Sequence, residues 1–241
     1  MHRSAPRLTR IFASAAIPVM LVVAGCSSDS GSGSDKASGS DTPSGASTGA
    51  KPSVAAVEPA KFAKLPEPCK AIASKTVLEL VPKAKNKAGT AGTSSDTGAR
   101  GGCSWNGLED KGVKGSNYRW LDVAFLRYES ESGLGSGEKR AKEAYAKEVA
   151  KNKATEDAKN VKTSPATGVG DEATAISYDL SKTDETFKYA TIVARTGNVV
   201  VTLGYNGAGY AGAKTPDAAD LMKDALKAAK EAAASVATAN K

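Results

Sequence analysis

Histidine is almost absent from this sequence. Its one copy, His2, falls in a stretch that reads as a cleavable leader, so the mature chain is expected to carry none. That excludes Ser–His–Asp and Cys–His catalysis and every imidazole metal ligand. Cysteine is scarce too, with three copies at positions 26, 69 and 103. Aromatic residues make up 5% of the chain, so any place where they gather stands out. A long membrane-spanning run is missing near the N-terminus. The uncharged, mostly apolar stretch Ile11–Gly25 is shorter than the roughly 20 residues a spanning helix needs. No twin-arginine pair precedes it, which points to the general secretory route rather than the folded-protein route.

What is present at the N-terminus has a definite order. Arg3, Arg7 and Arg10 form a positive region, the apolar run follows, and Val23-Ala24-Gly25-Cys26 closes it. This ending looks like a bacterial lipobox: small residues fit the peptidase cleft, and the Cys26 thiol accepts the diacylglyceryl group. Residues 1–25 are therefore expected to be a lipoprotein signal peptide. Cys26 is the expected lipidation site, holding the chain on the outer face of the cytoplasmic membrane. A plain signal peptide followed by an unrelated cysteine, or a short membrane helix, remains the alternative. Without the leader, 30 Lys and Arg stand against 26 Asp and Glu, a net charge of +4. The lysines are dispersed through Ala/Lys/Glu stretches, which suits a solvated surface and not a nucleic-acid footprint.

Residues 26–57 are rich in Ser, Gly, Asp, Thr and Pro, a composition that cannot bury enough surface to offset chain entropy. They read as a disordered tether; a flexible coil of about 30 residues spans about 30 Å. Residues 58–241 are the expected globular domain. With Cys26 committed to lipid, Cys69 and Cys103 are left together in an oxidising compartment, and a disulfide is the default, two free thiols being the alternative. A loop of about 35 residues closed in this way stabilises the fold by roughly 4 kcal/mol in the chain-entropy model.

Periodicity gives the rest. Pro66 to Val81 carries apolar residues at mostly helical spacing, with Ser74 as a candidate cap. Residues 83–100 read as a loop. Cys103-Ser104-Trp105 opens strand material, with Trp105 expected in the core beside the disulfide. Tyr118–Tyr128 alternates as a strand, Leu121, Val123 and Phe125 on one face and Tyr118, Trp120, Asp122 and Tyr128 on the other. Glu138 to about Ala150 reads as a helix. Three strands follow, Ala173–Leu180, Phe187–Arg195 and Asn198–Tyr205, with Gly197-Asn198 as a hairpin turn. Gly204–Gly212 reads as a flexible loop, and Thr215 as the cap of a final helix with Pro216 in its first turn. The sum is an α+β domain with an antiparallel sheet of about five strands packed against helices.

Leu65-Pro66-Glu67-Pro68-Cys69, then Cys103-Ser104-Trp105, then Gly168-Val169-Gly170-Asp171-Glu172-Ala173 before three strands and a closing helix, together resemble the actinobacterial lipoproteins grouped as domain of unknown function 3558. The resemblance covers residues 65–236. It implies a small sheet-plus-helix domain outside the membrane and carries no established activity.

Little catalytic chemistry survives these exclusions. Carboxylate pairs, Ser/Lys dyads and carboxylate-held cations remain. Asp171-Glu172 could be an acid/base pair, or a turn in which Asp accepts backbone N–H groups. Gly133, Gly135 and Gly137 lack the Lys-Ser/Thr that follows a phosphate loop. No catalytic residue, metal ligand or cofactor is expected. The aromatic face of the strand, Tyr118, Trp120 and Tyr128, is the candidate surface for a glycan, a lipid or an envelope protein, unless a helix covers it. The expected function is a non-catalytic ligand- or partner-binding module of the cell envelope. A carboxylate enzyme acting on envelope material and a purely structural surface protein are the alternatives.

Overall fold

The computed structural model describes residues 57–241. The expected signal peptide, Cys26 and nearly all of the expected tether lie outside the described residues. The chain opens with a 3-10 turn, Pro68–Lys70, and helix α1, Ser74–Leu80. It continues through β1 Thr90–Ala91, β2 Arg100–Asp110, β3 Ser116–Arg127, α2 Gly137–Lys153, β4 Lys159–Pro165, β5 Glu172–Lys182, β6 Glu185–Thr196, β7 Val199–Tyr210 and α3 Ala218–Thr238. All strands join one antiparallel sheet in the order β1-β2-β3-β7-β6-β5-β4. The fold is α+β, as expected, with seven strands instead of about five. No described helix is long and apolar enough to cross a membrane.

The two additional strands have little sequence signal. β1 is two residues long, and β4 is exposed along its whole length, with a register shift between Lys159 and Lys162. Neither shows the alternation that marks a half-buried strand. The larger correction concerns 204–212. This segment is not a loop: β7 runs on to Tyr210, paired with β3 as far as Ser116. Its glycines sit where other groups come close. A Cβ at Gly207 would lie 2.7 Å from the Tyr118 carbonyl, and one at Gly209 would lie 2.1 Å from the Ala213 carbonyl. Glycine inside a strand marks such close approaches as readily as it marks a turn.

The odd-numbered face of β3 is the core. Leu121, Val123 and Phe125 are almost fully buried, in one cluster with Ile192, Val201 and Leu203 of β6 and β7 and the α3 stripe Leu221, Ala225, Ala229, Ala232 and Val236. The alanines let the α3 backbone lie close to the sheet. α3 is capped by Asp217, whose side chain accepts from Ala219 N (2.7 Å), and not by Thr215. Ser74 does not cap α1. Glu231 of α3 takes that part, accepting the Ala73 N–H (2.9 Å) and the Thr76 hydroxyl (2.7 Å).

Cys69 and Cys103 form the expected disulfide, Cα atoms 5.1 Å apart, joining the opening turn to β2. Trp105 is 2% exposed beside it, and its indole Nε1 has no hydrogen-bond partner among the described residues. Residues 83–100 are laced onto β2. Lys85 N donates to Asn106 O, β1 pairs with Cys103 and Ser104, and Gly89, at φ +84°, leaves no room for a side chain above the Cys103 sulfur and the Trp105 ring.

Asn198, in the two-residue β6–β7 turn, is fully buried. Its amide accepts from Phe62 N (2.8 Å) and donates to Phe62 O (2.9 Å) and Tyr128 O (2.8 Å). Asn198→Ala removes three hydrogen bonds to backbone groups, leaving the Phe62 N–H and the Tyr128 carbonyl without their side-chain partner, and is expected to cost about 2–4 kcal/mol in denaturant unfolding; a loss of under about 1 kcal/mol would show that this clasp is dispensable. Intact mass under non-reducing conditions should show two hydrogens fewer than the dithiol, and Cys69→Ser should cost about 2–5 kcal/mol.

Candidate functional site

Cross-strand register assigns the even-numbered side chains of β2, β3 and β7 and the odd-numbered ones of β6 to the sheet face opposite α3. They lie in rows: Leu126 beside Val200, Ala124 beside Thr202 and Val193, Asp122 between Ser104 and Gly204, Trp120 between Asn106 and Asn206 with Tyr189 next, then Tyr118 beside Ala208. α2 covers one end of this face. Ala141, Ile176, Tyr178, Val193 and Val200 form a second buried cluster there, with Leu126, Tyr128 and Tyr145 against it. Ser136 caps this helix, its hydroxyl accepting from Lys139 N (3.3 Å). The rows beyond α2 are not covered by any described helix.

On the uncovered half, five rings converge around an open depression of about 550 Å³, with Asp122, Asn206 and Lys182 beside them. Tyr118 meets Phe187 edge-on at 5.9 Å and Tyr210 at 6.5 Å; Phe187 and Tyr210 are 6.1 Å apart. Tyr189 stacks flat on Tyr178 at 4.8 Å, which ties the depression to the cluster under α2. The Lys182 ammonium lies 5.4 Å from the Tyr189 ring centre and 5.9 Å from that of Phe187, and donates to the Tyr189 hydroxyl (2.9 Å). Trp120 Nε1 donates to Asp122 Oδ1 (2.8 Å), fixing the indole. Asn206 is 8% exposed, and its amide has no hydrogen-bond partner among the described residues.

Asp122 sits where this depression meets a longer groove of about 920 Å³, bounded by residues 92–96 on one side and by Glu148 and Lys151 of α2 on the other. Its carboxylate lies over Gly204 of the neighbouring strand, where a Cβ would stand 2.7 Å from Oδ1. Burial pushes the Asp122 carboxyl up to about 6, against the lowering effect of the Trp120 hydrogen bond. Burial likewise raises Tyr118, with smaller contributions from Tyr210 and Tyr189.

The structure brings together two of the three aromatic residues singled out in the sequence. Tyr128 lies past the end of β3, half-buried under α2 with the Arg140 guanidinium 5.8 Å over its ring. Phe187, Tyr189, Tyr210 and Asn206 escape sequence reasoning because pairing and not proximity places them beside Trp120, and because Asn206 and Tyr210 sit in the segment read as a loop. Asp171-Glu172 is the turn and not an acid/base pair: Asp171 accepts the Gly197 N–H (2.6 Å), and Glu172 and Asp171 hold Arg195 at 2.5 and 3.4 Å.

No family model matches this chain, and no curated protein does. Among solved structures, the crystal structure of LpqN, involved in cell envelope biogenesis of Mycobacterium tuberculosis, is similar over 54% of this chain and 68% of that one, at 16% identity and a TM-score of 0.29. A likeness that distant carries no argument about fold or function.

Asp122 makes the site's ionisation measurable. A carboxyl whose pKa rises on folding binds protons preferentially in the native state between about pH 4 and pH 6, so its contribution to stability declines as pH rises through that window. Asp122→Asn removes the effect. The stability of the variant relative to the parent should therefore rise by about 1–3 kcal/mol between pH 4 and pH 7, and a pH-independent difference would place Asp122 in an ordinary solvated setting.

Proposed function

We propose that this chain is a lipid-anchored, extracytoplasmic binding module of the cell envelope, without catalysis of its own, and that the uncovered half of its sheet meets the ligand. The envelope setting rests on the lipobox ending at Cys26 and on the family resemblance. The binding role rests on one observation: five of the chain's thirteen aromatic side chains line a single open depression. Rings needed only for the core would be buried under a helix, as Trp105 and Phe125 are on the α3 side and Tyr178 is under α2. Rings spent on solubility would be replaced by charge.

The arrangement does not favour a carboxylate enzyme. Acid/base chemistry on a glycosidic bond takes two carboxyl groups placed across the bond, and Asp122 is the one carboxylate lining the aromatic depression. Asp96 and Glu148 line the longer groove but are engaged locally. Asp96 accepts the Ala99 N–H (3.0 Å), and Glu148 is held by Asn152 (3.0 Å) and Lys151 (3.3 Å).

Native mass spectrometry of the full chain purified from its own host should show a reproducible bound mass, reduced several-fold by Trp120→Ala or Tyr189→Ala. A bare protein mass in parent and variants alike would sink the small-ligand form of this reading and leave a protein partner, to be sought by crosslinking from position 124.

A further inference from the structure

A depression lined by rings can hold an alkyl chain, an organic cation or a sugar, and the polar groups at its base separate the three. Asn206 is 8% exposed, lines the depression, offers both a donor and an acceptor, and makes no side-chain hydrogen bond among the described residues, its amide atoms being left open to solvent. Asp122 accepts one hydrogen bond, from Trp120, with its second oxygen unpartnered in the same set. An alkyl chain laid across these groups would exclude water without replacing its hydrogen bonds, which is unfavourable for a buried amide and worse for a carboxylate. An organic cation would seek the π faces of Phe187 and Tyr189, and the Lys182 ammonium already lies over both.

A sugar ring satisfies every group. Its C–H faces pack on flat aromatic rings, its hydroxyls donate to Asp122 and exchange both kinds of hydrogen bond with Asn206, and the Lys182 ammonium can donate to a ring or hydroxyl oxygen. The rings suit this use: three are tyrosines with a polar tip, and Trp120 is held in place by its hydrogen bond to Asp122, so little order must be imposed on binding. About 550 Å³ is in the size range of small-ligand sites, with room for one or two sugar units.

Building on the binding role proposed above, we infer that the Trp120–Asn206 depression recognises a neutral saccharide unit, stacked on Trp120 and the tyrosines and hydrogen-bonded to Asn206 and Asp122. The chain carries its own reporter. Of its two tryptophans, Trp105 is sealed in the core and Trp120 lies in the depression.

Tryptophan emission of the full chain would be followed while titrating three classes of probe: neutral gluco-, manno-, galacto- and arabino-oligosaccharides, laurate, and choline. At least one oligosaccharide should shift the emission saturably. Asn206→Ala should weaken that binding at least tenfold, and Trp120→Phe should abolish the signal. If Asn206→Ala does not fold, Tyr210→Ala at the rim replaces it. Saturation by laurate or choline with none by any oligosaccharide would overturn the saccharide assignment and leave the binding role standing. Silence with all three classes also overturns the assignment, and the co-purified mass then decides separately whether the face binds anything.

Discussion

The pairing of β3 with β7 is the constraint on which the rest of the structure depends. It runs without interruption from Ser116↔Tyr210 to Arg127↔Val199. The β2–β3, β5–β6 and β6–β7 pairings close short hairpins and could form locally. β3–β7 joins segments far apart in sequence and turns two separate meanders into one seven-stranded sheet. Its loop-closure cost is met by contacts on both sides of the sheet. On one face α3 packs on β7 and β6 while α1 and the opening turn pack on β3. At one end of the ladder, Asn198 ties the β6–β7 turn to Tyr128, just past β3, and to Phe62, far upstream. The disulfide acts on a different part, fastening the opening turn to β2.

The candidate site lies across this same join. Trp120 faces Asn206, and Asp122 faces Gly204, each pair split between β3 and β7. Neither half of the sheet contains the depression by itself. Side-chain chemistry changes along the face where α2 stops: the rows it covers are mainly aliphatic, Leu126, Val200, Val193 and Ile176 with Tyr178 at their edge, and the rows beyond are aromatic and amide, built from Trp120, Asn206, Tyr189 and Tyr118. A face meant to be buried under a longer helix would have continued as aliphatic. A face meant only for water would not set a desolvated carboxylate beside five rings and an amide that reaches solvent only through the depression.

Two charged side chains, Arg195 and Glu231, place backbone. Arg195 gathers Asp171, Glu172 and the Gly197 carbonyl, so the Gly-rich turn before β5 is held to the end of β6. Glu231 stands in for the missing cap of α1 and brings that helix onto α3. Carboxylates that looked available for chemistry in the sequence are thus taken up by architecture. Asp122, unremarkable as one polar residue in an alternating strand, is the carboxylate set in the aromatic depression, with its ionisation shifted upward by burial.

Local pattern alone determined the fold class, the aliphatic core face of β3, the alanine-rich amphipathic helices, the Gly197-Asn198 turn and the pairing of the two downstream cysteines. Each follows from spacing of 2 or 3.6 residues, from turn chemistry or from cysteine arithmetic, all of which act over short range. The tertiary structure decided what those signals cannot carry. It drew 204–210 into the sheet, because β3 offered an unpaired edge and the glycines there admit close neighbours. It added two edge strands with no alternation, since they bury almost nothing. It also separated Tyr128 from Tyr118 and Trp120 and supplied Phe187, Tyr189, Asn206 and Tyr210 in its place, because neighbours on a sheet face are set by strand order and register, which hydrogen bonding between distant segments determines and residue spacing within one strand does not.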